Sequence, residues 1–383
     1  QVASPAWGGG MRIVLALLLF AHANETCSAD ADPSTCASST DTGAPASEKR
    51  QQALSLVEAA TKIVRKKYDY VVGSKMARDA FEMAPTDPSV QAFFASMLMS
   101  TGNLTGAHPI YQNLFHSGTQ DLFVLQSYVT VLHRLRYREE LDEVWPAIQR
   151  IPGVKWRSPL HCPDQVDETL LDWARPFHDP MDFEVTRIIE QHKDDIAKDF
   201  QKFMSKGGSG FNPNQDTDLV DGGTKELWTE YLLFEKGVWN PIECMNFPSV
   251  CQPLKKHLAI IGIGNGKRSG QVSLLKLEPG THLVPHFGSV NWRFVAHHGL
   301  QVPEKQVRIR AGEEETWYEQ GKTLVLDDSF LHEVHHLGQP GVDPPRITLF
   351  VNFFNPNVTV ITEEEFYDRQ WAEQQERKKA RKR

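Results

Sequence analysis

Between residues 272 and 354 the sequence reads as five short β-prone runs, VSLLKL, RFVAHHGLQV, VRIRAG, KTLVLDDS and RITLFVNFF, with Gly, Pro and Asn between them. This punctuation constrains the fold more than any other feature. The runs recur at intervals of roughly 10–20 residues, the rhythm of a sandwich or jelly roll. In the last run Ile347, Leu349, Val351 and Phe353 fill one face, while Arg346 and Thr348 share the other, because successive side chains of a strand alternate. One arginine is therefore directed to the same side as a threonine, in a strand whose remaining residues are mostly apolar.

Upstream the period changes. Residues 183–204 predict an amphipathic helix with Val185, Ile188, Ile189, His192, Ile196 and Phe200 along one face. A loop, KGGSGFNPNQDTDLVDGG, follows it. Residues 51–150 are helical in pattern, with Ala53, Leu56, Val57 and Ala60 at helix spacing. The stretch AFEMAPTDP ends one helix there, and Ser89 could cap the next. The module length resembles tetratricopeptide repeats, units of about 34 residues, and a plain helical bundle fits the pattern as well. The fold class is α+β: a TPR-like helical region, 51–150, before a β-rich domain, 165–361. Residues 24–50 read as a disordered linker and 362–383 as a tail with a basic tip.

The first residues carry an address. Arg12, a nine-residue apolar run 13–21 and then Ala21-His22-Ala23 match a secretory signal peptide ending near residue 23, with an upstream extension before Met11. The run is too short to span a bilayer, which takes about 20 residues. Expected localisation is the secretory pathway, in the ER or Golgi lumen or outside the cell, with no transmembrane segment in the mature chain. In that compartment Cys244 with Cys251, or Cys27 with Cys36, could close small loops. Asn24, Asn103 and Asn357 head glycosylation sequons. A net charge of −8 argues against a nucleic-acid partner.

His286 stands before one β run and His332 after another. Two histidines from different strands of a barrel can converge on one metal, and with a carboxylate two residues after the first they would form the facial triad of Fe(II) oxygenases. That position is Gly288, which cannot ligate. An arginine such as Arg346 in an apolar interior needs an anion, and its fork matches a carboxylate; 2-oxoglutarate would supply one. His192, His257, His298, His335 and His336 read as surface or packing residues.

PGTHLVPHFG (279–288), Asn291, Arg293, HHGL (297–300), GKTLVLDDSFLHEV (321–334) and RITLFVNFFNP (346–356) resemble the aspartyl/asparaginyl β-hydroxylases. The resemblance extends upstream through Trp228, Leu232, Gly237 and the Cys244/Cys251 pair. It implies a double-stranded β-helix that uses Fe(II), 2-oxoglutarate and O2 to hydroxylate Cβ of Asp or Asn in EGF-like domains. It implies that glycine properly occupies the carboxylate position and that His286 and His332 hold the iron. It implies Arg346 on the distal carboxylate of 2-oxoglutarate and His297 on the other, with Arg293 and Ser273 also at the cosubstrate. Asn291, Asp328 and Thr348 are expected beside the iron or the substrate. Two departures stand out: Val295 replaces the family's second arginine, and Leu275 replaces a serine for which Ser273 could substitute. The same fold also suits an oxygenase for lipids or small molecules, a halogenase, or a non-catalytic binding protein built around its repeats.

Overall fold

The computed structural model describes residues 43–67, 69–222, 224–264, 267–268 and 270–380. The signal peptide, most of the linker, Asn24 and the Cys27/Cys36 pair lie outside the described residues. The chain divides into two compact units, one ending at Pro159 and one beginning at Leu160.

The first unit is a succession of helices: α1 (Gly43–Lys67), α2 (Tyr70–Met83), α3 (Pro88–Ser100), α4 (Leu104–His116), α5 (Leu122–Leu135) and α6 (Arg138–Ile148), each packed on the next. Helix α1 begins inside the stretch expected to be linker, because the segment past Gly43 is rich in Ala, Glu, Lys, Arg and Gln, which favour helix. Starts at Tyr70, Leu104 and Arg138 fall 34 residues apart, as do those at Pro88 and Leu122. Local chemistry sets these starts. Asp69, Asp87, Asn103 and Asp121 each accept a hydrogen bond from a backbone N–H of the first turn. The cap of α3 is thus Asp87 and not Ser89, since Pro88, lacking an N–H, suits the first helical position and leaves the cap to the residue before it. Asn103, a sequon residue, serves as a cap through its Oδ1.

The second unit contains the strands β1 (Phe177–His178), β2 (Asn212–Pro213), β3 (Trp228–Glu235), β4 (Val238–Trp239), β5 (Ile263–Gly264), β6 (Lys267–Arg268), β7 (Gln271–Leu277), β8 (His282–His286), β9 (Arg293–Gln301), β10 (Val307–Ala311), β11 (Glu314–Trp317), β12 (Thr323–Leu326), β13 (His332–His336), β14 (Arg346–Phe354) and β15 (Val360–Ile361). Among the described residues a large sheet runs β1-β12-β9-β14-β7-β3-β2 and a smaller one β11-β10-β13-β8. From β7 to β10 successive strands alternate between the two sheets, and β12, β13 and β14 alternate again. The sheets enclose a core in which Leu275, Leu277 and Leu326 meet Leu283, Ile309 and Val334.

The other face of the large sheet is covered by α7 (Glu184–Ser205), which buries Val185, Ile189, Ile196, Phe200 and Phe203 against Ile347, Leu349, Val351 and Phe353. Each such side chain contributes about 1.5–3 kcal/mol when fully buried. The alternation read in RITLFVNFF is thus realised: its apolar set packs on the helix, and Arg346 and Thr348 turn inward. Cys244 and Cys251, in α8 (Pro241–Cys244) and α9 (Pro248–Leu254), are joined by a disulfide. A short helix α10 (Leu258–Ile261) precedes β5, and α11 (Glu363–Ala380) ends the described chain.

Candidate metal and cosubstrate site

His286 ends β8 and His332 begins β13, and the two are direct partners in the antiparallel ladder. Their ring centroids lie 4.1 Å apart. In each ring Nδ1 meets a carbonyl two residues earlier: Val284 O at 2.7 Å for His286 and Phe330 O at 2.8 Å for His332. A carbonyl only accepts, so Nδ1 carries the proton and Nε2 the lone pair, the form that binds a metal. Burial lowers the pKa of His332 and keeps that ring neutral.

Gly288 follows from sterics. A Cβ there would stand 2.6 Å from Cγ and Oδ1 of Asp328, and the Gly288 N–H donates to the Asp328 carbonyl at 2.6 Å. The carboxylate of Asp328 fills the volume that a side chain at 288 would need. Its Oδ1 is buried with no hydrogen-bond partner among the described residues, and its Oδ2 lies 3.8 Å from Nη2 of Arg293. The two neighbouring imidazoles are the groups here that could hold a divalent metal ion such as iron.

Asp328 is held in place by its neighbours. Ser329 Oγ donates to Asp327 at 2.5 Å, His161 Nε2 meets Ser329 Oγ at 2.8 Å, and the Leu331 N–H donates to Leu160 O. Burial pushes the Asp327 carboxyl up to about 8. His–Ser–Asp here is not a nucleophilic triad, because the serine proton goes to the carboxylate and not to the histidine.

Arg346 is 1% exposed, and its Nε and Nη1 hydrogen-bond to nothing among the described residues. Its guanidinium lies 4.7 Å from the centroid of the Tyr318 ring, on which it stacks. Thr348 Oγ1 and His297 Nδ1 are likewise buried and unpartnered among the described residues. His297 pairs with Phe350 across β9 and β14 and packs edge-on to Tyr318 with centroids 5.6 Å apart. Burial, then the neighbouring Arg346 and His332, hold its pKa well below the usual histidine range. An arginine this deeply buried without an anion is costly. The unfilled donors are of the kind that pair with a carboxylate.

The remaining expected residues divide. Arg293 lies over Asp328, and its buried Nε has no partner among the described residues. Ser273 is fully buried opposite Phe350 and lies 3.4 Å from Nε2 of Gln271. Asn291 instead uses both ends of its amide on the backbone of Asp167, at 2.8 and 2.9 Å, so it ties down a loop. Val295 stands between Leu326 and Asn352. Asn352 Oδ1 is buried and unpartnered among the described residues, which puts a polar group next to the position lacking the arginine. Nothing in the sequence singled out Asn352 or Tyr318.

His298 and His336 are the packing residues they were expected to be: His298 bonds to Thr323 and His336 to Pro344 O. His335 is not. It shares Glu333 with His282 on the opposite face of β13, a pairing no spacing rule indicated because it crosses between strands.

Residues 190–356 match the family described as Aspartyl/Asparaginyl beta-hydroxylase. The chain is 30% identical over 189 residues to the aspartyl/asparaginyl beta-hydroxylase of Mus musculus, covering 49% of this chain and 24% of that protein. It is 34% identical over 131 residues to the aspartate beta-hydroxylase domain-containing protein 2 of Homo sapiens, 34% of each. The Xenopus tropicalis protein of that name is 33% identical over 171 residues, 45% of this chain and 44% of that one. The matches thus span about a quarter to under half of these relatives' lengths. Among solved structures, a predicted oxalate decarboxylase from Thermotoga maritima aligns over 33% of this chain at 11% identity with a TM-score of 0.22, a likeness that carries no argument.

Proposed function

We propose, on the premise that residues 190–356 form an aspartyl/asparaginyl β-hydroxylase domain, that this chain is an Fe(II)- and 2-oxoglutarate-dependent dioxygenase. The alternation of strands between two sheets supports a double-stranded β-helix. The carrying observation is Arg346: a fully buried guanidinium with open donors, on the same interior as His297.

Iron with 2-oxoglutarate and O2 supplies the hydroxylation of an unactivated C–H bond, cosubstrate decarboxylation to succinate accompanying it. The chain's own residues do the placing. His286 and His332 present Nε2 to the metal, with their Nδ1 protons held by the backbone. Arg346 grips one carboxylate of the cosubstrate at full depth and Thr348 adds a hydroxyl beside it. Tyr318 holds the guanidinium plane from behind. His297, kept neutral, can hydrogen-bond the cosubstrate without adding charge. Arg293 lies close enough to Asp328 to offset its charge, and the Asp328 carboxylate occupies the space a side chain at 288 would need.

The substrate class is an Asp or Asn side chain of EGF-like domains in secretory proteins, hydroxylated at Cβ. The 34-residue helix interval of the first unit supports a TPR-like surface that presents the substrate. No helix among the described residues is long and apolar enough to cross a membrane. The disulfide fits a lumenal or extracellular setting.

The test is an assay of full-length protein reloaded with Fe(II) and supplied with 2-oxoglutarate, air and an EGF-like peptide. Succinate and one added oxygen on the peptide are expected, both lost in His332→Ala. Succinate without a peptide shift would keep the oxygenase and discard the peptide substrate. No 2-oxoglutarate binding by calorimetry would overturn the reading.

A further inference from the structure

Strand β13 carries two sets of side chains. His332, Val334 and His336 turn toward the core strand β10 residues Ala311, Ile309 and Val307. Glu333 and His335 turn the other way, onto the outer face of the small sheet, where His282 of β8 is the ladder partner of His335. Glu333 Oε2 lies 3.0 Å from His282 Nε2 and 3.4 Å from His335 Nε2. One ligand atom from each of the three residues falls within 4.8 Å of the others.

These separations match the edges of a metal polyhedron. Zinc bonded tetrahedrally at about 2.0–2.1 Å sets neighbouring ligand atoms about 3.3 Å apart, which the two contacts bracket. The His282 and His335 rings stack at 3.8 Å with only 19° between their planes, both aiming a nitrogen at one oxygen. The three ligand atoms converge on one small volume that a cation can occupy.

The surroundings also resemble those of metal ligands. Arg310 holds Glu333 Oε1 through Nε and Nη2, each at 2.7 Å, which directs Oε2 toward the histidines. Asp221 Oδ2 lies 3.9 Å from Nδ1 of His282, in reach as the carboxylate that orients a ligating imidazole from its far nitrogen. Side-chain exposures of 26% for His282 and 27% for His335 leave the cluster open to solvent ions and to a water as fourth ligand. The nearby guanidinium weakens binding of a cation, so imidazole must supply most of the affinity.

We propose that His282, Glu333 and His335 form a second divalent-metal site, of the zinc class with two imidazoles and one carboxylate, on the outer face of the β8–β13 ladder. It lies back to back with the inner pair His286 and His332. The assignment rests on none of the residues that support the oxygenase reading. An ion there would clip β8 to β13 just behind the inner histidines.

The test uses the untagged full chain, stripped of metal and equilibrated with zinc ions, with stoichiometry read by calorimetry and by metal content after desalting. Both sites accept zinc, so the expected values are two per chain for the natural sequence and one for His335→Ala. One is also expected for the double variant His286→Ala/His332→Ala, and none when all three changes are combined. Glu333→Gln, which keeps side-chain volume, should weaken the outer site at least tenfold, guarding against misfolding of the alanine variant. Circular dichroism of each variant checks the fold. One zinc in the natural chain that His335→Ala abolishes and the inner double variant retains would uphold the outer site while removing the inner one. A stoichiometry that neither His335→Ala nor Glu333→Gln changes would overturn the proposal.

Discussion

At the scale of single residues, the site is defined by groups whose needs the protein itself leaves unmet. Arg346 is the clearest. A buried charge without an ionic partner costs folding free energy, and even paired buried charges are often replaced by apolar residues with a gain of about 1–4 kcal/mol. Arg346→Met is therefore expected to raise the melting temperature while abolishing 2-oxoglutarate binding. Differential scanning calorimetry and isothermal titration on one preparation check both, and a fall in stability would show that the arginine is structurally paired. Part of this was legible in the sequence. Arg346 stands in a run whose alternation fixes its face, while His286 and His332 were marked by the motif resemblance and are ladder partners in the structure. The position of Asp328 could not be read in advance, because it depends on how the loop of residues 327–331 folds back on Gly288. His282 with His335 escaped for a similar reason, since a register shift between His332 and Val334 sets the pairing.

At the scale of elements, the turn before β13 matters as much as the strand. Asp327, Ser329 and His161 lock it, and burial holds the Asp327 carboxyl near 8 against an ordinary value of 3.8. The folded state thus binds a proton there that the unfolded chain has released, from about pH 4 up to about pH 8. Stability contributed by the protonated group is complete below that window and lost as pH rises through 8. Asp327→Asn keeps the acceptor for Ser329 but cannot ionise. The melting temperature of the natural chain should fall more between about pH 5 and about pH 9 than that of Asp327→Asn, and equal slopes would refute the assignment. Helix α7 was readable almost to the residue, 183–204 against Glu184–Ser205, because its apolar stripe repeats over six turns. The cap of α3 was misplaced by two residues where proline chemistry outweighed the serine signal.

At the scale of the whole molecule, the boundary between Pro159 and Leu160 separates two units with their own interiors. A fragment from Leu160 to the C-terminus should unfold in one cooperative transition and bind 2-oxoglutarate within about threefold of the full chain. Loss of either property in the fragment, measured by calorimetry, would show that the helices are needed for the fold or the site. The order of strands also sets a timetable. Strand β14 is the last of the core strands in the chain, yet it lies between β9 and β7 in the large sheet. Until residue 354 has left the ribosome, β7 and β9 each present an open edge, and Arg346 has no interior to be buried in. A nascent chain of this protein therefore carries two sticky borders from residue 301 until residue 354 is in place, and it closes both in a single late step.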